Sequence, residues 1–220
     1  MKKRILLVIA VCAATTQIAV AEVSPSWRGL PDTTSQVWQF DFPMTPGPNY
    51  PYSPDGPAAG GLSPLPGTEL HWLIGSSPQD TWLNTDAGRS GVVPLSGSLD
   101  ILVDNYDTNP DNIKFIRLQL TWRPQDQTSG EPLFTFLDPL PTHPPMLIDE
   151  TPLNLNWRLS TYAWQLDCNP PQEQIILGGT INVDELIIDT WCIPEPATIC
   201  LLGLGALSLL RRKMKLNNQS

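Results

Sequence analysis

Histidine and cysteine are scarce in this chain of 220 residues, numbering two and four. Metal centres built from imidazole and thiolate need three or four such ligands close together. His71 and His143 are the only imidazoles, so that chemistry lacks its ligands. Positive charge is scarcer than its total suggests. Of 13 lysines and arginines, seven lie at the two ends: Lys2, Lys3, Arg4, Arg211, Arg212, Lys213 and Lys215. Residues 22–193 hold six bases against 21 acids, a balance of −15. A surface so acidic repels phosphate backbones and excludes nucleic-acid binding. There is no G-x-S-x-G nucleophile turn, no zinc-protease helix motif and no phosphate loop. Proline, by contrast, is plentiful at 24. That content breaks helices and excludes a helical bundle or coiled coil.

The two ends have a different composition from the middle. Residues 1–21 join a cationic start (Lys2, Lys3, Arg4) to an apolar run over 5–14 and an Ala19-Val20-Ala21 cleavage site. The apolar core suits a secretory signal peptide and is too short for a comfortable membrane span. Cleavage is predicted after Ala21. At the other end, Pro194-Glu195-Pro196 precedes an uncharged stretch over 197–210, closed by Arg211, Arg212 and Lys213. The basic cluster has the sense of a cytoplasmic flank. Fourteen apolar residues cover about 21 Å as a helix, short of a ~30 Å hydrocarbon core. Such a segment suits a temporary hold, and Gly203 and Gly205 weaken it further as a helix.

The order of these parts, Pro-Glu-Pro then a Leu/Gly/Ala-rich stretch then arginines, resembles the PEP-CTERM sorting signal. That signal is carried by exported proteins of Gram-negative bacteria that make extracellular polysaccharide. The resemblance runs from Ile193 to about Lys213, and residues 214–220 extend beyond its usual basic end. It implies recognition by an exosortase, a membrane-embedded cysteine protease, with cleavage near Pro194-Glu195-Pro196. It also implies release or transfer of the mature domain to the surface. Signal peptidase would be the other processing partner. Residues 168–196 further resemble the closing stretch of small β-rich members of that class. The expected organisation is a signal peptide (1–21), a folded domain (22–193), the sorting signal (194–215) and a polar tail (216–220).

Within the mature domain only Cys168 and Cys192 remain, and two cysteines in an oxidising compartment are expected to pair. Apolar residues recur with period two. Trp38, Phe40 and Phe42 form one such run, and Leu70, Trp72 and Ile74 another. Leu99, Ile101 and Val103 follow, then Ile116, Leu118, Leu120 and Trp122. Further runs lie at 133–137, 153–159, 162–166, 173–177, 180–183 and 186–189, separated by Pro, Gly, Asn and Asp. This pattern predicts about ten half-buried strands and an all-β fold. We expect two antiparallel sheets packed as a jelly-roll-like sandwich, flanked by an N-terminal signal helix and a C-terminal hydrophobic helix. Residues 43–68, with eight prolines and five glycines, are expected to form a long irregular loop.

Candidate chemistry is thin. Asp107, Asn109 and Asp111 place oxygen ligands at alternate positions of a turn, as a Ca²⁺ loop does, but Leu118 stands where its closing glutamate belongs. Eight tryptophans are many for this length. Trp38, Trp72, Trp122, Trp157 and Trp164 fall in phase with core positions. Trp82, beside a turn, is the expected exposed ring for stacking on sugar. The carboxylate pairs Asp100/Asp104 and Asp149/Glu150 carry no mark of a raised-pKa acid. The leading expectation is a non-enzymatic exported protein of the cell surface or extracellular matrix, held transiently in the inner membrane. The alternatives are a carbohydrate-binding module for exopolysaccharide and a glycoside hydrolase-like enzyme.

Overall fold

The computed structural model describes residues 24–40, 54–56, 68–72, 82–105, 112–128, 130–138, 141, 144–167 and 170–194. Nine strands account for most of them: β1 (Thr33–Trp38), β2 (Glu69–Trp72), β3 (Leu83–Asp86), β4 (Arg89–Asp104), β5 (Asn112–Pro124), β6 (Leu133–Asp138), β7 (Met146–Pro152), β8 (Arg158–Leu166) and β9 (Gln172–Pro194). Every pairing is antiparallel. The main path runs β2-β4-β9-β5-β8-β7, with β1 and β6 also on β9 and β3 on β4.

β9 is the spine. On one edge it pairs with β4 along 172–183 and then with β1 along 186–191. On the other edge it pairs with β6 along 174–178 and then with β5 along 181–194. One strand of 23 residues therefore belongs to two half-sheets. The change of direction uses backbone freedom that only glycine supplies. Gly97 (φ 141°) and Gly179 (φ 152°) stand opposite each other where β4 crosses β9. A bulge between Thr121 and Trp122 takes up the same bend in β5.

The period-two reading of β5 holds. Ile116, Leu118, Leu120 and Trp122 are at most 2% exposed. They join Leu99, Ile101 and Val103 of β4, Tyr162, Trp164 and Leu166 of β8, and apolar residues of both halves of β9 in one core. At about 1.5–3 kcal/mol per fully buried large apolar side chain, this stripe sets the register of β5. Lys114 shares the inward face, two residues before Ile116, and is buried with them. Its Nζ lies 2.6 Å from Glu173 Oε2, at the start of β9. Asn105 Nδ2 donates to the other carboxylate oxygen at 2.7 Å. The pair joins the beginnings of β5 and β9, while Phe134 of β6 meets Tyr162 of β8 at 4.6 Å between ring centroids. Both contacts tie one half-sheet to the other.

Several expectations are corrected. The runs at 173–177, 180–183 and 186–189 are one strand, because Gly178-Gly179 and Asp184-Glu185 bend the chain without ending its pairing. The Trp38/Phe40/Phe42 run is not a strand of its own: β1 ends on Trp38, Phe40 has φ 55° although its side chain is buried, and Phe42 lies outside the described residues. The 153–159 alternation is broken by a 3₁₀ turn at Asn154–Asn156, where Leu155 and Asn156 have positive φ and Leu155 is exposed. β7 gave no periodic signal, because an edge strand exposed on both faces needs none. The expected terminal helices and most of the 43–68 loop lie outside the described residues. Two points of that loop are fixed. Val37 and Gly56 form an isolated bridge, and buried Thr68 accepts from the Asp104 N–H.

Burial lowers the Lys114 pKa and raises that of Glu173 above its usual 4.5, each opposed by the partner's charge. Lys114→Met strands the carboxylate in the core and is expected to cost about 3–5 kcal/mol at neutral pH. Glu173 then has a folded-state pKa above its unfolded one. The variant therefore keeps stability below the ordinary carboxylate range and loses it as pH rises through the folded value. Urea unfolding at pH 5 and pH 8 should show a larger deficit against wild type at pH 8. Lys114→Met combined with Glu173→Leu should recover most of the loss.

Candidate functional site

The sequence features with the clearest chemistry converge on the C-terminal end of β9. Pairing with β5 persists to the last residue, Asn112 opposite Pro194, and Cys192 lies opposite Lys114. On the other edge the Cys192 N–H donates to Asp32 O at 3.0 Å. The first proline of Pro194-Glu195-Pro196 is thus still within the sheet, with no spacer between fold and motif. The final turn of the chain into β9 is tied down too. Asn105 N donates to Pro171 O at 3.1 Å, Asn105 Nδ2 also donates to Pro170 O, and Gln172 Nε2 donates to Asp104 Oδ1 at 2.7 Å.

The outward face of this end is aromatic. Trp27 stacks on Trp191 with ring centroids 5.9 Å apart and planes 20° from parallel. Phe115 lies 6.2 Å from the same ring. Two residues along β9, Asp189 is buried and takes a bidentate pair from Arg28 at 2.7 and 2.6 Å. Arg117 faces Asp189 in the β5–β9 register. Sequence reading missed both groups. The one available signal was parity: Asp189 and Trp191 share a face of β9.

The remaining cations are also committed inside the fold. Arg89 pairs with Asp184 at 2.5 Å, Arg123 with Asp86 at 2.6 Å, and Arg158 with Glu131 and Glu150 at 2.9 and 3.3 Å. Arg89 and Arg123 lie over the Trp157 ring at 5.5 and 5.8 Å. All six bases of residues 22–193 therefore face carboxylates or aromatic rings of this chain. The outer surface keeps the excess of acid.

Other sequence candidates are placed as follows. Trp82 was expected to be an exposed stacking ring. It is half-buried, packs against the core and donates its indole N–H to Phe40 O at 2.8 Å. Trp38, Trp122, Trp157 and Trp164 are buried, as their phase implied. Trp72 and His71 lie in β2. Asp100 accepts from Gln174 Nε2 at 2.8 Å on one oxygen while its other oxygen is buried without a partner, and Glu150 accepts from Ser160 Oγ at 2.9 Å. Asp107, Asn109 and Asp111 lie outside the described residues, as do His143, Cys168, Glu195, Pro196, Arg211, Arg212 and Lys213. Leu166 of β8 and Cys192 of β9 both stand opposite Lys114, with β5 between them. Among the described residues no helix is long and apolar enough to cross a membrane.

Comparison with known proteins gives one match, and it falls on this end of the molecule. No curated protein and no solved structure matches the chain. Residues 193–214 match the family described as the PEP-CTERM protein-sorting motif. The match begins at Ile193, the next-to-last residue of β9, and runs through the hydrophobic stretch and the basic cluster. The chain is therefore a bearer of the PEP-CTERM protein-sorting motif, and that motif supports an exported protein sorted by exosortase.

Proposed function

We propose that this protein is a non-enzymatic component of the cell surface or extracellular matrix. It is exported with a signal peptide, held briefly in the inner membrane by residues 197–210, and freed by cleavage at Pro194-Glu195-Pro196. The observation that carries this reading is that the sorting motif abuts the folded domain without a linker. Sorting therefore delivers the acidic β domain itself, with no further module between the fold and the anchor. The commitment of its bases to internal pairs supports a soluble, self-repelling surface. The fold we infer is a jelly-roll-like sandwich, its two half-sheets continuous through β9 and sharing one core.

Two processing events follow from this reading. Replacing Pro194, Glu195 and Pro196 by alanine is expected to leave the full-length chain in the inner-membrane fraction. Normal maturation of that variant, read by fractionation and intact mass, would overturn the sorting assignment. We also propose that Cys168 and Cys192 form a disulfide, as the two cysteines that the mature domain would carry into an oxidising compartment. Peptide mapping after alkylation without reductant should recover the two cysteine peptides linked. Recovery of both as alkylated thiols would remove the staple.

The matrix role has a direct test in binding. The mature protein is expected to leave glycan arrays without signal, with or without calcium. Saturable binding to one glycan class would replace the structural reading with a carbohydrate-binding one.

A further inference from the structure

The C-terminal end of β9 and the start of the mature chain meet at one pole of the domain. Trp27 stacks on Trp191, and Cys192 hydrogen-bonds to Asp32. The first and last described stretches, 24–32 and 191–194, therefore lie at the same end of the domain. Signal peptidase cleavage after Ala21 falls six residues before Trp27, and the apolar tail starts three residues after Pro194.

The second spacing is decisive. Three residues extend at most about 11 Å. The polar layer of one leaflet is about 5–8 Å deep. As a helix, residues 197–210 would cover only about 21 Å of a ~30 Å core, which would draw their flanks toward the lipid. With Pro194 still hydrogen-bonded in the sheet, no stalk holds the domain away from the bilayer.

The pole is suited to that position. It presents Trp27, Phe115, Trp191 and Ile193, all half-buried, with Leu30 exposed at 45%. Indole rings favour the boundary between headgroups and acyl chains. The strongest charges nearby are neutralised within the fold, Arg28 by Asp189 and Lys114 by Glu173. Among the described residues, this end pairs Arg28 and Lys114 with acids and clusters aromatics, with exposed Asp32 beside Cys192.

We propose that this pole, Trp27, Leu30, Phe115, Trp191 and Ile193, rests in the headgroup layer of the membrane while the tail is inserted, and so holds the Pro-Glu-Pro peptide at the bilayer surface for cleavage. The proposal rests on the anchoring reading above. Once the tail is cut, one end of the released domain carries an aromatic patch no longer held to lipid.

All eight tryptophans lie between residues 27 and 191, so indole emission reports the domain and not the tail. The full chain is reconstituted into phosphatidylcholine vesicles, plain or brominated on the upper acyl carbons. Brominated lipid is expected to quench part of the emission of the wild-type chain, and Trp27→Phe with Trp191→Phe should abolish most of that quenching. Equal emission on both lipids, with the chain resisting alkaline carbonate extraction, overturns the pole alone. Undiminished quenching in the double variant places another face on the membrane and also overturns it. A chain stripped from the vesicles by carbonate overturns the anchoring reading and the pole with it. An oligosaccharide that shifts wild-type emission without lipid, and not that of the variant, makes the rings a sugar platform and overturns the lipid assignment.

Discussion

Hydrogen bonding along β9 is the constraint on which the rest of the structure depends. Four strands pair with it, and those pairings leave no free stretch from Gln172 to Pro194. A strand shared by two half-sheets must bend without losing its partners. The facing glycines Gly97 and Gly179 and the bulge at Thr121/Trp122 meet that need. The same continuity has a functional consequence. Because the last strand of the fold ends on the first proline of the sorting motif, the stability of the domain and the placement of the start of that motif are one property.

Electrostatics divides the molecule into an inside and an outside of unusual kind. Among the described residues the bases face carboxylates, three of them beside aromatic rings, and Lys114 lies in the core itself. A buried pair of this sort is not a large source of net stability, since desolvation offsets most of the attraction. Its contribution is positional. Lys114 and Glu173 bring the starts of β5 and β9 together, and a mismatch there would bury an uncompensated charge. The outside is left acidic, and such a surface repels other acidic polymers.

Much of the fold was legible as period-two alternation where one face of a strand is buried. β5 and β8 show it cleanly, since Ile116, Leu118, Tyr162 and Trp164 point inward as their phase demands. Legibility failed where that condition failed. β7 is exposed on both faces, and β3 is a four-residue strand with little apolar content. Leu153 and Leu155 imitate alternation while Asn154 and Asn156 turn the chain. Trp82 looked exposed because a turn follows it. Its contact with Phe40 O joins segments 42 residues apart, which no local pattern encodes.

The amino-acid order by itself determined the address of this protein and its strand-forming character. Sorting signals are read as linear peptides, and alternation is a local property of neighbouring residues. Tertiary structure alone decided that three apparent strands are one, that Lys114 meets Glu173 in the core, and that both ends of the mature domain share an aromatic pole. Those facts depend on which distant segments pair, and pairing is selected by the packing of the whole core rather than by any single stretch of chain.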